Sequence, residues 1–349
     1  MIRTVLGEVT KEECGRILTH EHLLIDISHQ YSTPKPTAYP PESNHTGDQV
    51  GVSVENFSRL RRDPYAVKDN LRIMDVDTAI EEAKYFKFFG GGAMVEQTPI
   101  GVGRNMDHLV RISKEAGIHI IPSTSLYTDD AIPEPWFSAS AQEIADLFIK
   151  ELTVGIDDTN IKAAIIGEIG TSMPITKAEW KSLEAAAIAH KATNAPISVH
   201  IYPWGTNGLD VVEFLTGKGV APEKICICHI DVQFDVDYIR QLLKKGVYVE
   251  FDNFGKEFLM DENPEGFGGG AFAQDYERVL VMKTLCDEGW AKQILLSNDI
   301  CLKVLLHRYG GPGYDHLLRN ILPLMKKLGI KDEDITQMLD VNPAQYLEF

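Results

Sequence analysis

The sequence predicts an α/β chain folded as a single (β/α)8 TIM barrel over residues 1–349. Three observations carry this. Eight short apolar runs alternate with helical patterns. Six His, Glu and Asp side chains fall at the ends of five of those runs. A length of 349 residues, 44% of them hydrophobic, suffices for one large core. A doubly wound open sheet is the competing arrangement. The run ends separate the two, because catalytic groups in a barrel come from the C-terminal ends of several different strands.

The first run is RILTHEH, ending in His20 and His22. Residues i and i+2 of a strand share a face, so both imidazoles project together. The stretch Tyr31–Tyr65, rich in Pro, Asn and Ser, reads as a long excursion from that strand end rather than a domain boundary. The later runs are Gly91–Glu96, Ile118–Ser123, Lys162–Glu168, Ala195–His200, Lys224–His229, Val247–Asp252 and Gln293–Asp299. Between them, Thr176 and Glu179 have capping-box spacing, and Gly246 closes an amphipathic helix. A last amphipathic stretch, 315–329, is interrupted by Pro323. Strand parity puts Ala164, Ile166 and Glu168 on one face, and Ser198 with His200. It puts Ile227 with His229, turning Cys226 and Cys228 outward to the helices. That disfavours a zinc site built from Cys226, Cys228 and His229.

A net charge of −17 repels nucleic acid and anionic membranes. No run reaches membrane-spanning length, and the N-terminus lacks a long apolar segment. Five scattered cysteines argue against a disulfide framework and for a reducing compartment, by default the cytoplasm. A small-molecule substrate is the expected partner.

Singly, each strand-end group has an ordinary explanation. His200 or His229 would be a satisfied core histidine, Glu168 an interior salt-bridge partner, Asp299 a helix cap. All six together, His20, His22, Glu168, His200, His229 and Asp299, point to metal. The nitrogen and oxygen donors suit two divalent ions, zinc first, with manganese, cobalt or nickel as alternatives. A single catalytic zinc takes three protein ligands, whereas two ions bridged by Glu168 use the set without surplus. Such a pair lowers the pKa of a shared water and polarises the electrophile. Asp299 can then pass the proton to the leaving group.

The segments LTHEHL, IIGEIGTS, ISVH, CHIDV, LLSNDI and GGPGYDHLL…NPAQYL resemble the phosphotriesterase family of the amidohydrolase superfamily, above all the phosphotriesterase-related proteins. The resemblance implies a barrel with a binuclear centre, His20, His22 and Asp299 on one ion, His200 and His229 on the other, and Glu168 as bridge. It places Tyr127 where lactonase-like members carry a tyrosine beside the reacting oxygen. It also implies a homodimer, although no interface signature is visible. One departure stands out. After Asp252, triester-hydrolysing members have a proton-relaying His and lactone-hydrolysing ones an Arg; here the residue is Asn253, while Asp231 is retained.

The expected activity is a binuclear hydrolase whose bridging hydroxide attacks a carbonyl, a lactone or carboxylic ester first, with an N-acyl amide or phosphotriester as alternatives. A metal-bound binding protein without turnover, an isomerase and a mononuclear deaminase are the competing classes. Specificity is expected from Tyr31–Tyr65, Asn253–Phe272 and Cys301–Tyr314. Gly266, Gly268, Gly269 and Gly270 would permit a mobile lid, and Lys256, Lys303 and Arg308 are candidates for an anionic substrate head, or plain solvated charges.

Overall fold

Eight strands form the sheet of this computed structural model, which describes residues 1–33, 45–260 and 270–348. They are β1 (Arg16–Glu21), β2 (Gly91–Glu96), β3 (His119–Thr124), β4 (Ile165–Gly170), β5 (Ile197–His200), β6 (Ile225–Ile227), β7 (Tyr248–Phe251) and β8 (Ile294–Leu296). Each pairs in parallel with the next in chain order. A helix follows each strand: α1 (Val76–Phe88), α2 (Met106–Ala116), α3 (Ala141–Thr153), α4 (Lys177–Thr193), α5 (Gly208–Gly217), α6 (Val236–Lys244), α7 (Asp275–Asp287) and α8 (Leu322–Lys327). The last strand meets the first at its C-terminal end. There Ser297 Oγ receives the His20 amide at 3.0 Å and donates to the His20 carbonyl at 2.6 Å, and the Asp299 amide donates to the same carbonyl at 3.1 Å. This is the predicted (β/α)8 barrel.

The helices form as their sequences dictate. Thr176 and Glu179 make the expected capping box at the start of α4. Gly246, at φ +88°, takes the left-handed position just past α6 that residues with a Cβ resist. Pro323 cannot donate a backbone bond, and the preceding Leu317–Ile321 widens into a π turn that leads into α8.

Two apolar layers result. The larger fills the space between strands and helices and includes Leu18, Met94, Ile166, Val199, Ile227 and Leu296. The smaller fills the barrel bore with Ile17, Val95, Ile165, Cys228, Tyr248 and Leu295. The C-terminal helix Asn342–Leu347 plugs its floor: Tyr346 stacks edge-on against Tyr248, and Asn342 donates to the carbonyls of Ala291 and Ile294 at the start of β8.

This layering corrects the parity expectation. Cys226 and Cys228 point into the bore, and Ile227 points out against α5, whose Gly208 lies close to its side chain. The reason is local. β6 ends at Ile227, and His229 turns left-handed at φ +60°, so alternation does not carry through to the histidine. Likewise Ala164, Ile166 and Glu168 do not share a face. Ile166 belongs to the outer layer, and the β4–β5 register shifts between Ile166 and Ile169.

The excursion after β1 returns to the barrel. Ile25–Asp26 pairs with Arg72–Ile73, Asn70 receives the Val304 amide, and Lys303 is bonded to Asp69. Part of the excursion, 34–44, lies outside the described residues, as do Gly266, Gly268 and Gly269 of the expected lid.

Candidate metal centre

His20 and His22 leave β1 on the mouth side of the bore, both buried. Glu21, between them, faces the other way and clamps the end of β8. Its carboxylate accepts from the amides of Asn298 and Ile300 and from Asn298 Nδ2 at 2.8–3.1 Å, and Ser297 Oγ lies 2.8 Å away. Burial raises its pKa to about 7 against those donors. The clamp fixes the loop in which Asp299 adopts φ +49° and turns its side chain to the histidines.

A tautomer follows from the His22 contacts. Thr98 donates its one hydroxyl proton to the Leu24 carbonyl at 3.0 Å, so toward His22 Nδ1, at 2.9 Å, it can only accept. Nδ1 therefore carries a proton. Nε2 faces Glu168 Oε1 and Asp299 Oδ1, each at 3.2 Å. A bare nitrogen against two carboxylate oxygens needs a positive charge between them. Burial pushes His22 down, but bonds to Asp299 and Glu168 override this and raise its pKa to about 9.

Glu168 occupies the centre. Its Oε2 lies 3.1 Å from His200 Nδ1 and 3.6 Å from both His20 Nε2 and His229 Nε2. The ligand-capable atoms of His20, His22 and Glu168 all lie within 4.8 Å of one another, and so do those of Glu168, His200 and His229. Glu168 belongs to both triplets. Burial raises its carboxyl, and the surrounding imidazoles more than reverse this and hold it well below the usual carboxylate range. Asp299 behaves alike: burial raises it, while Lys256 and then His22 and His20 hold it at about 2.

On the far side, His229 Nδ1 faces Asp252 Oδ1 at 3.0 Å, which turns Nε2 toward His200 Nδ1 at 2.8 Å. Tyr127, buried, brings its hydroxyl within 3.5 Å of the same His200 nitrogen. Among the described residues, neither ring nitrogen of the buried His20 has a hydrogen-bond partner. Orphaned imidazole nitrogens cost free energy unless something binds them. A divalent cation fits these residues by donor type, by burial and by the charge they lack.

The six sequence-predicted residues therefore meet at one place. Five of them, His22, Glu168, His200, His229 and Asp299, line a cavity of about 60 Å³ together with Tyr127, Asn253 and Lys256, and His20 stands behind them. Of the three candidate anion binders, Lys256 alone lines it. It is 4% exposed and bonded to Asp299 Oδ2. Lys303 is bonded to Asp69 and Arg308 is exposed. Lys256 is thus no solvated charge, and its partner stands 43 residues away in sequence, beyond the reach of local patterns. Asn253 donates to Asp231 Oδ1 at 2.8 Å and Asp252 Oδ1 at 2.7 Å, and Arg278 holds Asp231 from behind at 3.1 Å. An amide in that position braces two carboxylates and relays no proton.

Sequence reasoning missed the supporting residues Glu21 and Thr98, whose partners are distant in sequence.

The chain is similar to known proteins over its whole length. Residues 1–347 match the model of the phosphotriesterase family. An N-acetyltaurine hydrolase from Xenopus tropicalis is 32% identical over 350 residues, covering all of this chain and 98% of its own. A resiniferatoxin-binding protein from Rhodobacter sphaeroides superposes with a TM-score of 0.93 at 32% identity, over 99% of this chain and 94% of its own. A phosphotriesterase homology protein from Escherichia coli, solved with phosphate in its active site, gives 0.77 at 29% identity over 96% and 99%. No helix among the described residues is long and apolar enough to cross a membrane. The chain is a metal-dependent hydrolase and belongs to the phosphotriesterase family.

Proposed function

We propose that this chain uses two divalent cations, zinc first, to hydrolyse a carbonyl substrate, and that the substrate is an N-acyl amide with an anionic head. One observation carries the reading: Glu168 is shared by the His20/His22 and His200/His229 groups at the base of a cavity that also holds one buried ammonium, Lys256. His20, His22 and Asp299 would hold one cation, His200 and His229 the other, with Glu168 between. Bound there, the cations supply an activated water near neutral pH and polarise the substrate oxygen.

The remaining work falls to the chain. Asp299 turns Oδ1 to the imidazoles and Oδ2 to Lys256 and the cavity. It holds the proton lost by the attacking water and returns it to the departing amine or alkoxide. Tyr127 donates its hydroxyl to the substrate oxygen. An ammonium has three donors; Asp299 takes one of Lys256's and the Cys301 side chain lies beside it, which leaves a donor for an anionic head. Ile25, Ile27, Phe258, Met260 and Leu302 form an apolar collar that excludes water and receives the acyl group. The relatives named for N-acetyltaurine move the weight from lactone or ester to amide. A lactone or carboxylic ester stays as the second reading, favoured by Tyr127 beside the reacting position. We place the protein in the cytoplasm as a single-domain barrel, pairing as a homodimer.

The test is a kcat/KM comparison on cation-reconstituted protein across N-acetyltaurine, other N-acyl amino acids, lactones, esters and an aryl phosphotriester. The best carbonyl substrate is expected to exceed the phosphotriester by about tenfold or more, about 1.4 kcal/mol of transition-state stabilisation. A phosphotriester rate at or above the best carbonyl rate would overturn the assignment.

A further inference from the structure

We infer that Glu250, deep in the barrel bore, is a positioning residue that accepts the His20 Nδ1 proton and so aims His20 Nε2 at its cation. This rests on the reading of His20 as a ligand. Tyr248, Glu250 and Asp252 alternate along β7 and its end, and they serve three different ends. Tyr248 packs on the floor plug, Asp252 supports His229, and Glu250 stands between them beneath His20.

Glu250 is buried, and among the described residues it pairs with no lysine or arginine. A buried carboxylate without a cation is costly and calls for another source of donors. Thr19 donates its hydroxyl to Oε1. Among the described residues Oε2 receives only thiols, Cys228 at 3.2 Å and Cys226 at 3.9 Å, and a thiol is a weak donor. The strong donor Oε2 lacks is 3.5 Å away: His20 Nδ1. That nitrogen is itself orphaned. The unmet needs of the two groups match.

Asp252 Oδ2, 3.4 Å from the same nitrogen, is the rival acceptor. It is the more committed group, already receiving the His229 amide and ring and the Asn253 amide. Giving His20 to Glu250 gives three of the four histidines a separate support: His22 on Thr98, His229 on Asp252, His20 on Glu250. Metal-ligating histidines are held this way in general, and loss of the support typically costs about 10–100-fold in metal affinity or activity.

The experiment compares the wild type with Glu250→Gln and Glu250→Ala. Three quantities are read: cation content by elemental analysis, the rate of cation loss to a chelator, and the His20 Nδ1–H signal by histidine-labelled nitrogen NMR. Melting of the metal-stripped proteins checks the fold, and the isosteric Gln variant serves if Ala does not fold. One of two cations should leave about 10–100-fold faster in Glu250→Ala, less so in Glu250→Gln, with a shifted His20 signal and the second cation retained. Unchanged loss rates and an unchanged His20 signal in folded variants would overturn the inference. So would a third cation held in the wild type by His20, Cys228, Glu250 and Asp252. A wild type that takes up no cation would refute the metal reading itself.

Discussion

The two ends of the barrel bore are built from the same strands and do opposite things. At the floor, Tyr248, Tyr346, Leu295 and Ile17 close the bore with apolar surface. At the mouth, Glu168, Asp252 and Asp299 crowd four imidazoles, every group buried, and the nitrogens of His20 and His22 that face the carboxylates are satisfied only if positive charge is added. The floor is stable as it stands, whereas the mouth stores demand for a ligand. Chemistry at the C-terminal end and stability at the N-terminal end is the division expected of this architecture. Here it can be read within single strands: β7 passes from Tyr248 at the plug to Asp252 at the centre.

Substitutions can break that contrast. The largest effect is expected at the mouth. Glu168→Ala should release at least one cation and lower kcat/KM by ~10³-fold or more, about 4 kcal/mol. His20→Ala and His22→Ala should likewise lower metal content, and wild-type stoichiometry in either would refute their shared role. At the floor, Tyr346→Ala should cost about 3 kcal/mol of stability by leaving a cavity while the cation content stays unchanged. Denaturant unfolding and elemental analysis on the same sample check both halves. Next comes Lys256→Met. It should lower kcat/KM about tenfold more for an N-acyl substrate with an anionic head than for a neutral amide, about 1.4 kcal/mol. Equal losses on both would remove Lys256 from substrate recognition. The smallest effect tests the floor again. Among the described residues the buried Tyr346 hydroxyl has no hydrogen-bond partner, so Tyr346→Phe should raise stability by about 1 kcal/mol.

Legibility in the sequence follows the same division. The barrel and the six strand-end residues could be read because each needs only a strand and its terminus; where the strands converge is set by the architecture. Parity failed at Cys226 and Cys228 because His229 turns left-handed just after β6, and nothing in CICH announces that turn. Lys256 read as a solvated charge because its partner Asp299 arrives from the next strand. Glu21 stood hidden between the two histidines that drew attention, although its clamp on residues 297–300 orients Asp299. What escaped was the support of the site, made by contacts distant in sequence.

The central claim is that one carboxylate, Glu168, joins two cations. A crystal structure of the cation-reconstituted protein, with anomalous scattering recorded at the metal edge, tests it most directly. Two anomalous peaks are predicted on opposite sides of Glu168, each about 2.0–2.2 Å from one of its oxygens, one beside His20 and His22 and the other beside His200 and His229. A single peak, or Glu168 turned away to a lysine or arginine, would contradict the account.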